Sequence, residues 1–109
     1  MRIIVQRCDK AEVRVKGKTV GKINYGMMLL VSFTYGDTEK EIDYLVNKVL
    51  NLRIFDDENG VMNKSILDIN GEILSISQFT LYANTSKGNR PSYIDALKGE
   101  DAIKLYDMF

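Results

Sequence analysis

Apolar and polar residues alternate through "AEVRV" at Ala11–Val15, with Val13 and Val15 set against Glu12 and Arg14. A period of two belongs to a strand with one buried face. Two strands are expected over Ala11–Ile23, joined by a hairpin turn at Gly17-Lys18. Before them, "RIIVQR" is a short apolar strand. After them, "GMMLLVSFTY" from Gly26 is a longer continuous run, the pattern of a central strand. The period then changes. Ile42, Leu45, Val46, Val49 and Leu50 recur at three and four, the stripe of an amphipathic helix. Thr38 and Glu41 have capping-box spacing at its start. "DDENG" at Asp56–Gly60 reads as a turn. Two more strands are expected around Ser65–Ile69 and Glu72–Tyr82, with Asn70-Gly71 as the hairpin between them. Past Ala83 the chain turns polar, "NTSKGNRPSY", and carries its one proline, Pro91. "SYIDALKG" and "EDAIKLYDMF" read as helical, with Ser92 and Asp101 in early turns. The apolar pattern reaches Phe109 with no capping signal, and this raises the expectation that more protein follows.

Composition narrows the chemistry. The 109 residues make one domain's worth of chain, enough to bury roughly two-thirds of the unfolded surface. Fifteen basic and fifteen acidic residues cancel, so no global positive field draws in nucleic acid. Any nucleic-acid contact is then local, or made to a small end group. There is no histidine, which excludes a Ser-His-Asp triad and a histidine acid/base pair within the chain. The single cysteine, Cys8, excludes an internal disulfide and a cysteine-rich zinc site. With no histidine to activate it, Cys8 reads as a small buried apolar residue. Three apolar residues before Gln6 are too few for a signal peptide, and no stretch approaches transmembrane length. The expected setting is the cytoplasm, with no membrane partner.

The candidate chemistry centres on "SISQFTLYA", Ser75–Ala83. On a strand, Leu74, Ile76, Gln78, Thr80 and Tyr82 share one face, and Ile73, Ser75, Ser77, Phe79 and Leu81 share the other. The polar residues do not segregate. Two readings follow: an edge strand whose far half meets water, or a pocket lined by the strand's end, where polar groups pair with a ligand. Arg7 is either a solvated strand end or a donor fork that orients a loop or substrate. Lys87 and Arg90 lie in an acid-free stretch, Asn84–Tyr93, which is either a solvated loop or a phosphate contact. The acidic run Asp56–Glu58 lacks calcium-loop spacing and reads as a plain turn.

A resemblance runs through these segments. "MRIIVQRCDKAEVRV" at the start, "NLRIF" at Asn51–Phe55, "MNKSILDINGEILSISQFTLYA" at Met62–Ala83 and "KGNRPS" at Lys87–Ser92 together resemble D-aminoacyl-tRNA deacylase, the D-tyrosyl-tRNA deacylase family. The likeness covers essentially the whole chain, and "SQFTLYA" is that family's signature. It implies an α+β fold, an antiparallel β-barrel-like sheet with helices packed on one side, acting as a homodimer. It implies hydrolysis of the ester joining a D-amino acid, or mischarged glycine, to the acceptor end of tRNA. That is a proofreading step of translation quality control, with no metal or organic cofactor. By position, Ser77, Gln78, Phe79 and Thr80 match the active-site strand. Arg7 resembles the arginine that holds the chirality-selecting loop, and Lys87 and Arg90 are the candidates for tRNA contact. The loop itself carries a Gly-Pro pair with a cis bond, inserted from the partner subunit. The 109 residues contain no Gly-Pro pair. The expectation is therefore a C-terminally truncated member: a single deacylase-like domain over residues 1–109, lacking its C-terminal strands, with weak activity or none. The alternatives are a non-catalytic RNA- or DNA-binding remnant of the fold and an inactive fragment.

Two chemical schemes fit a site without histidine. In one, Thr80 attacks the ester, helped by neighbours or by the substrate's own amine. In the other, water attacks, positioned by the ribose 2′-hydroxyl, while backbone N–H groups around Gln78 and Phe79 receive the oxyanion. The second needs no side-chain base.

Overall fold

In the computed structural model, which describes residues Met1–Phe109, four strands come first: β1 (Arg2–Cys8), β2 (Ala11–Val15), β3 (Lys18–Ile23) and β4 (Gly26–Ser32). Helix α1 (Glu39–Asn51), the short strands β5 (Phe55–Asp56) and β6 (Met62–Lys64), and β7 (Glu72–Ser77) follow. A 3-10 turn (Phe79–Leu81) and helix α2 (Gly99–Met108) complete an α+β chain. β4 lies between β1 and β7 in a three-stranded sheet. That central place explains its unbroken apolar run: Met27, Leu29 and Val31 are all buried. No helix is long and apolar enough to cross a membrane.

The β2–β3 hairpin forms where the alternation placed it. Its turn is Lys16-Gly17, one residue earlier than expected, with φ of 52° and 79°. Val15 pairs with Lys18 across it, so only two residues separate the strands. The start of α1 also follows its sequence. The Thr38 N–H donates to Glu41 Oε2 at 2.6 Å, and the Lys40 N–H donates to Thr38 Oγ1 at 3.3 Å. This capping box satisfies groups that the first helical turn leaves unpaired. Along α1, Ile42 and Val49 are buried, and Leu45, Val46 and Leu50 are half-buried, as the stripe required.

Three expectations are corrected. Ser65–Ile69 is not a strand; the strand lies just before it, as β6, paired with β5. Ser65 instead opens a helical-type turn through two reciprocal bonds: its N–H to Asp68 Oδ2 at 2.9 Å, and the Asp68 N–H to Ser65 Oγ at 3.1 Å. Asn70-Gly71 consequently ends that turn and is no two-residue hairpin; the Gly71 N–H donates to the Ile66 carbonyl at 3.1 Å. A side-chain carbon at Gly71 would meet Ile66 Cδ1 at 2.7 Å, so the end of the Ile66 side chain would have to shift. "SYIDALKG" is not helical either. The Leu97 N–H donates to the Phe33 carbonyl at 2.9 Å, and Ala96 bridges Thr34, so the residues after β4 claim its backbone. Helix begins only at Gly99, with Asp101 in its first turn.

"DDENG" is a turn, closed by the Asp57 N–H to the Val61 carbonyl at 2.8 Å. Asp57 accepts from Asn63 and from the Val61 and Asn59 N–H groups, and these bonds hold its carboxyl below the usual range.

The residues divide into two compact units. Met1–Ile4, Leu30–Val46 and Ile76–Phe109 form one, with Val31, Phe33, Ile42 and Ala96 buried. Val5–Leu29 and Asn47–Ser75 form the other, with Ile23, Met27, Leu29, Val49, Phe55, Ile66 and Leu74 buried.

Candidate active site

The signature segment leaves the sheet halfway. β7 ends at Ser77, and the Gln78 N–H makes one more bond, to the Val31 carbonyl at 2.8 Å. Beyond it the chain coils into the 3-10 turn: Leu81 N–H to the Gln78 carbonyl at 3.3 Å, and Tyr82 N–H to the Phe79 carbonyl at 3.2 Å. The expected strand through Tyr82 is thereby shortened. Strand alternation ceases to govern Gln78–Tyr82, while β7 is an edge strand of its sheet and Ser77 and Phe79 are exposed. The first carbonyl to accept a bond inside the turn is that of Gln78. The N–H groups of Phe79 and Thr80 therefore have no acceptor within it, as at the start of any helix.

The coil brings Gln78 and Thr80 together. The Gln78 side-chain amide donates to the Thr80 hydroxyl oxygen. A carboxamide is not a base, and as a donor it makes the oxygen less nucleophilic. Thr80 is half-buried and Ser77 exposed. Tyr82, next along, has its phenol pushed further above neutral pH by burial and by Asp37, with Arg2 opposing.

Ser77 and Phe79 line a pocket of about 350 Å³ with Leu97, Lys98, Ala102, Ile103 and Tyr106. Its walls are mostly apolar. The Phe79 ring is 45% exposed, meets the Tyr93 ring edge-on at 5.7 Å, and lies 5.3 Å from the Lys98 ammonium. An apolar cleft with one cation over an aromatic ring suits a flat, electron-rich group attached to an anionic chain.

Arg7 belongs to the second unit. It is no free strand end: one guanidinium nitrogen donates to the Ile54 carbonyl at 2.9 Å and lies 3.4 Å from Asp56 Oδ1. With Gln6, Cys8, Asp9, Tyr25 and Asp56 it borders a polar pocket of about 320 Å³. Cys8 is half-buried there, and burial, aided by Asp9, raises its thiol pKa, which lowers its thiolate fraction.

Comparison with known proteins decides the family. The family model described as D-Tyr-tRNA(Tyr) deacylase matches residues 4–109. The chain belongs to this family. A D-aminoacyl-tRNA deacylase of Clostridium tetani is 56% identical over all 109 residues, which cover 73% of that protein. One from Bacillus cereus is 53% identical, with 75% of its length covered. Among solved structures, the c-Myc DNA Unwinding Element Binding Protein superposes with a TM-score of 0.92 at 41% identity, covering 98% of this chain and 72% of that one. A probable eukaryotic D-amino acid tRNA deacylase reaches 0.80 at 20% identity over 97% of this chain and 62% of its own, a likeness of fold alone.

Within this deacylase chain, the expected residues group unevenly. Ser77, Gln78, Phe79 and Thr80 form one continuous segment, and Ser77 and Phe79 open on one pocket. Lys87 and Arg90 are exposed on a loop closed by paired backbone bonds between Asn84 and Ser92, each 2.8 Å, and neither lines that pocket. The cation that does is Lys98, which sequence reasoning missed together with Tyr93. No local pattern marks them, because the bonds that seat them run to Phe33 and Thr34.

Proposed function

We propose that the chain hydrolyses the ester of D-aminoacyl-tRNA, and of tRNA mischarged with glycine, releasing free amino acid and tRNA. It does so as one deacylase-like domain, in a cytoplasmic homodimer whose sheet takes the barrel-like form of the family. What supports this reading is family membership, relatives named for the activity, and the pocket on which Ser77 and Phe79 open. The observation that carries the mechanism is the switch from strand to 3-10 turn at Gln78. It bonds the Gln78 N–H to Val31, so this group is not available to an oxyanion, and it leaves those of Phe79 and Thr80. Two such donors receive the charge that develops on the ester oxygen, each worth roughly 10²–10³ in rate. Water, positioned by the ribose 2′-hydroxyl, attacks the carbonyl carbon. The acyl bond to the ribose oxygen breaks, and the proton that water loses ends on that oxygen, freeing the amino acid and the tRNA. Thr80 acts through its backbone, since its hydroxyl accepts from Gln78 and no base adjoins it. Arg7 serves in orienting the chirality-selecting loop of the family, and Lys87 and Arg90 contact the tRNA acceptor end.

The test pairs Thr80→Ala with substrate ending in 2′-deoxyadenosine. The expected result is a threonine variant within about tenfold of the unaltered rate and a deoxy substrate cleaved at least roughly a hundredfold more slowly. A dead threonine variant with normal cleavage of the deoxy substrate would overturn the water scheme.

A second reading, a nucleic-acid-binding module without chemistry, is favoured by the name of the 41% identical structural relative and by the exposed Lys87 and Arg90. It requires uncharged tRNA or DNA to bind as tightly as charged tRNA, with a steep salt dependence.

A further inference from the structure

Two side chains outside the signature segment hold its 3-10 turn. Ser32, at the end of β4, is 2% exposed in an otherwise apolar strand. A buried hydroxyl is unfavourable unless it is bonded. Its partner is the Phe79 carbonyl, 47 residues further on, at 3.3 Å. That carbonyl also accepts the Tyr82 N–H. At the other end, Arg2 donates to the Leu81 carbonyl at 2.8 Å and lies 4.2 Å over the Tyr82 ring.

A trans peptide is planar, so a carbonyl and the N–H that follows it point in opposite directions from one rigid unit. By bonding the Phe79 carbonyl, Ser32 sets the Phe79–Thr80 peptide and with it the aim of the Thr80 N–H. Arg2 sets the Leu81–Tyr82 peptide, whose N–H closes on the same Phe79 carbonyl. Ser32 thus acts on the Phe79–Thr80 plane directly, and Arg2 acts on it through the Tyr82 N–H that bonds the Phe79 carbonyl. We propose that Ser32 and Arg2 are positioning residues that clamp the turn so that the Thr80 N–H is directed at the oxyanion of the reacting ester. This rests on the deacylase reading above. Neither residue lines the pocket on which Ser77 and Phe79 open.

A misdirected oxyanion donor slows the chemical step without weakening ground-state binding. Loss of one neutral hydrogen bond corresponds to roughly threefold to tenfold in rate. The experiment compares Ser32→Ala, Arg2→Ala and Arg2→Lys in the full chain. It measures kcat and KM on D-tyrosyl-tRNA and the ¹⁵N–¹H resonance of the Thr80 amide. Ser32→Ala is expected to lower kcat about threefold to tenfold, to leave KM within about twofold, and to move the Thr80 resonance. Arg2→Ala does the same to a lesser degree, and Arg2→Lys, which keeps a donor but loses the flat stacking group, recovers part of it. An unchanged kcat with an unmoved Thr80 resonance overturns the clamp, as does a rise in KM alone. Should the unaltered chain, whose 109 residues contain no Gly-Pro pair, hydrolyse the substrate too weakly to measure, kcat carries no information. The Thr80 resonance and its hydrogen exchange in the variants then decide the clamp by themselves. Arg2 is exposed, so its variants keep the test decisive should Ser32→Ala not fold.

Discussion

The first turn of α1 and the 3-10 turn at Phe79–Leu81 both depend on hydroxyl and backbone groups, but their partners lie at very different distances along the chain. Thr38 finds Lys40 and Glu41 within three residues. The Phe79 and Leu81 carbonyls are held by Ser32 and Arg2, 47 and 79 residues away. A cap of the first kind forms wherever its four residues occur together. A turn of the second kind exists only after β4 and β7 have paired and the loop-closure entropy between them has been offset. The helix start is thus a property of a motif, and the candidate active site is a property of the sheet.

The largest effect expected from breaking this contrast is at Gly26, remote from the turn in sequence. A side-chain carbon there would lie 1.8 Å from the Glu72 carbonyl oxygen, at the start of the β4–β7 pairing. Gly26→Ala is expected to cost at least about 4 kcal/mol in urea denaturation, and near-normal stability would show that β7 is seated by something else. Thr38→Ala is the local counterpart. It should cost about 1 kcal/mol and leave kcat unchanged, and a loss of activity in the folded protein would show that the two turns are coupled. Lys98→Gln removes the cation over Phe79. KM for D-aminoacyl-tRNA should rise roughly twofold to fivefold with kcat unaltered, and an unchanged KM would remove Lys98 from the binding pocket.

The smallest effect is a pH dependence. Bonds from Thr38, its hydroxyl first, hold the Glu41 carboxyl below its ordinary range. A group whose folded pKa is depressed contributes stability above its unfolded value, and that contribution is lost as pH falls through the folded one. The stability gap between the unaltered chain and Thr38→Ala should therefore narrow below about pH 4 in thermal melts. A gap of constant size down to about pH 2 would mean that the carboxylate takes no part in the cap.

Reading by period succeeded where neighbours in sequence are neighbours in space. The alternation of Val13 and Val15, the stripe from Ile42 to Leu50 and the apolar run of β4 each appear as the expected element. The same method failed at Ser65–Ile69, where reciprocal bonds between Ser65 and Asp68 outweigh an apolar pattern that fits strand and turn equally. It failed again at Tyr93–Lys98, where helical spacing is overridden by backbone bonds to Phe33 and the Thr34 bridge. Family membership was legible because the resembling segments, "SQFTLYA" among them, are runs of neighbouring residues that can be read without the fold. The grouping of Phe79 with Tyr93 and Lys98 was not, since nothing near those residues encodes it.

By itself, the sequence determined what chemistry is absent and which segment carries the rest. A chain without histidine cannot present a histidine base, and "SQFT" stands out at any stage of folding. Only the tertiary structure decided that this segment is half strand and half 3-10 turn, and that the Gln78 N–H is bonded while those of Phe79 and Thr80 have no partner within the turn. The reason is physical. Composition and pattern act residue by residue. The direction of a peptide N–H is set by whatever grips its plane, and here the groups that do so, Ser32 and Arg2, are brought to it by the sheet.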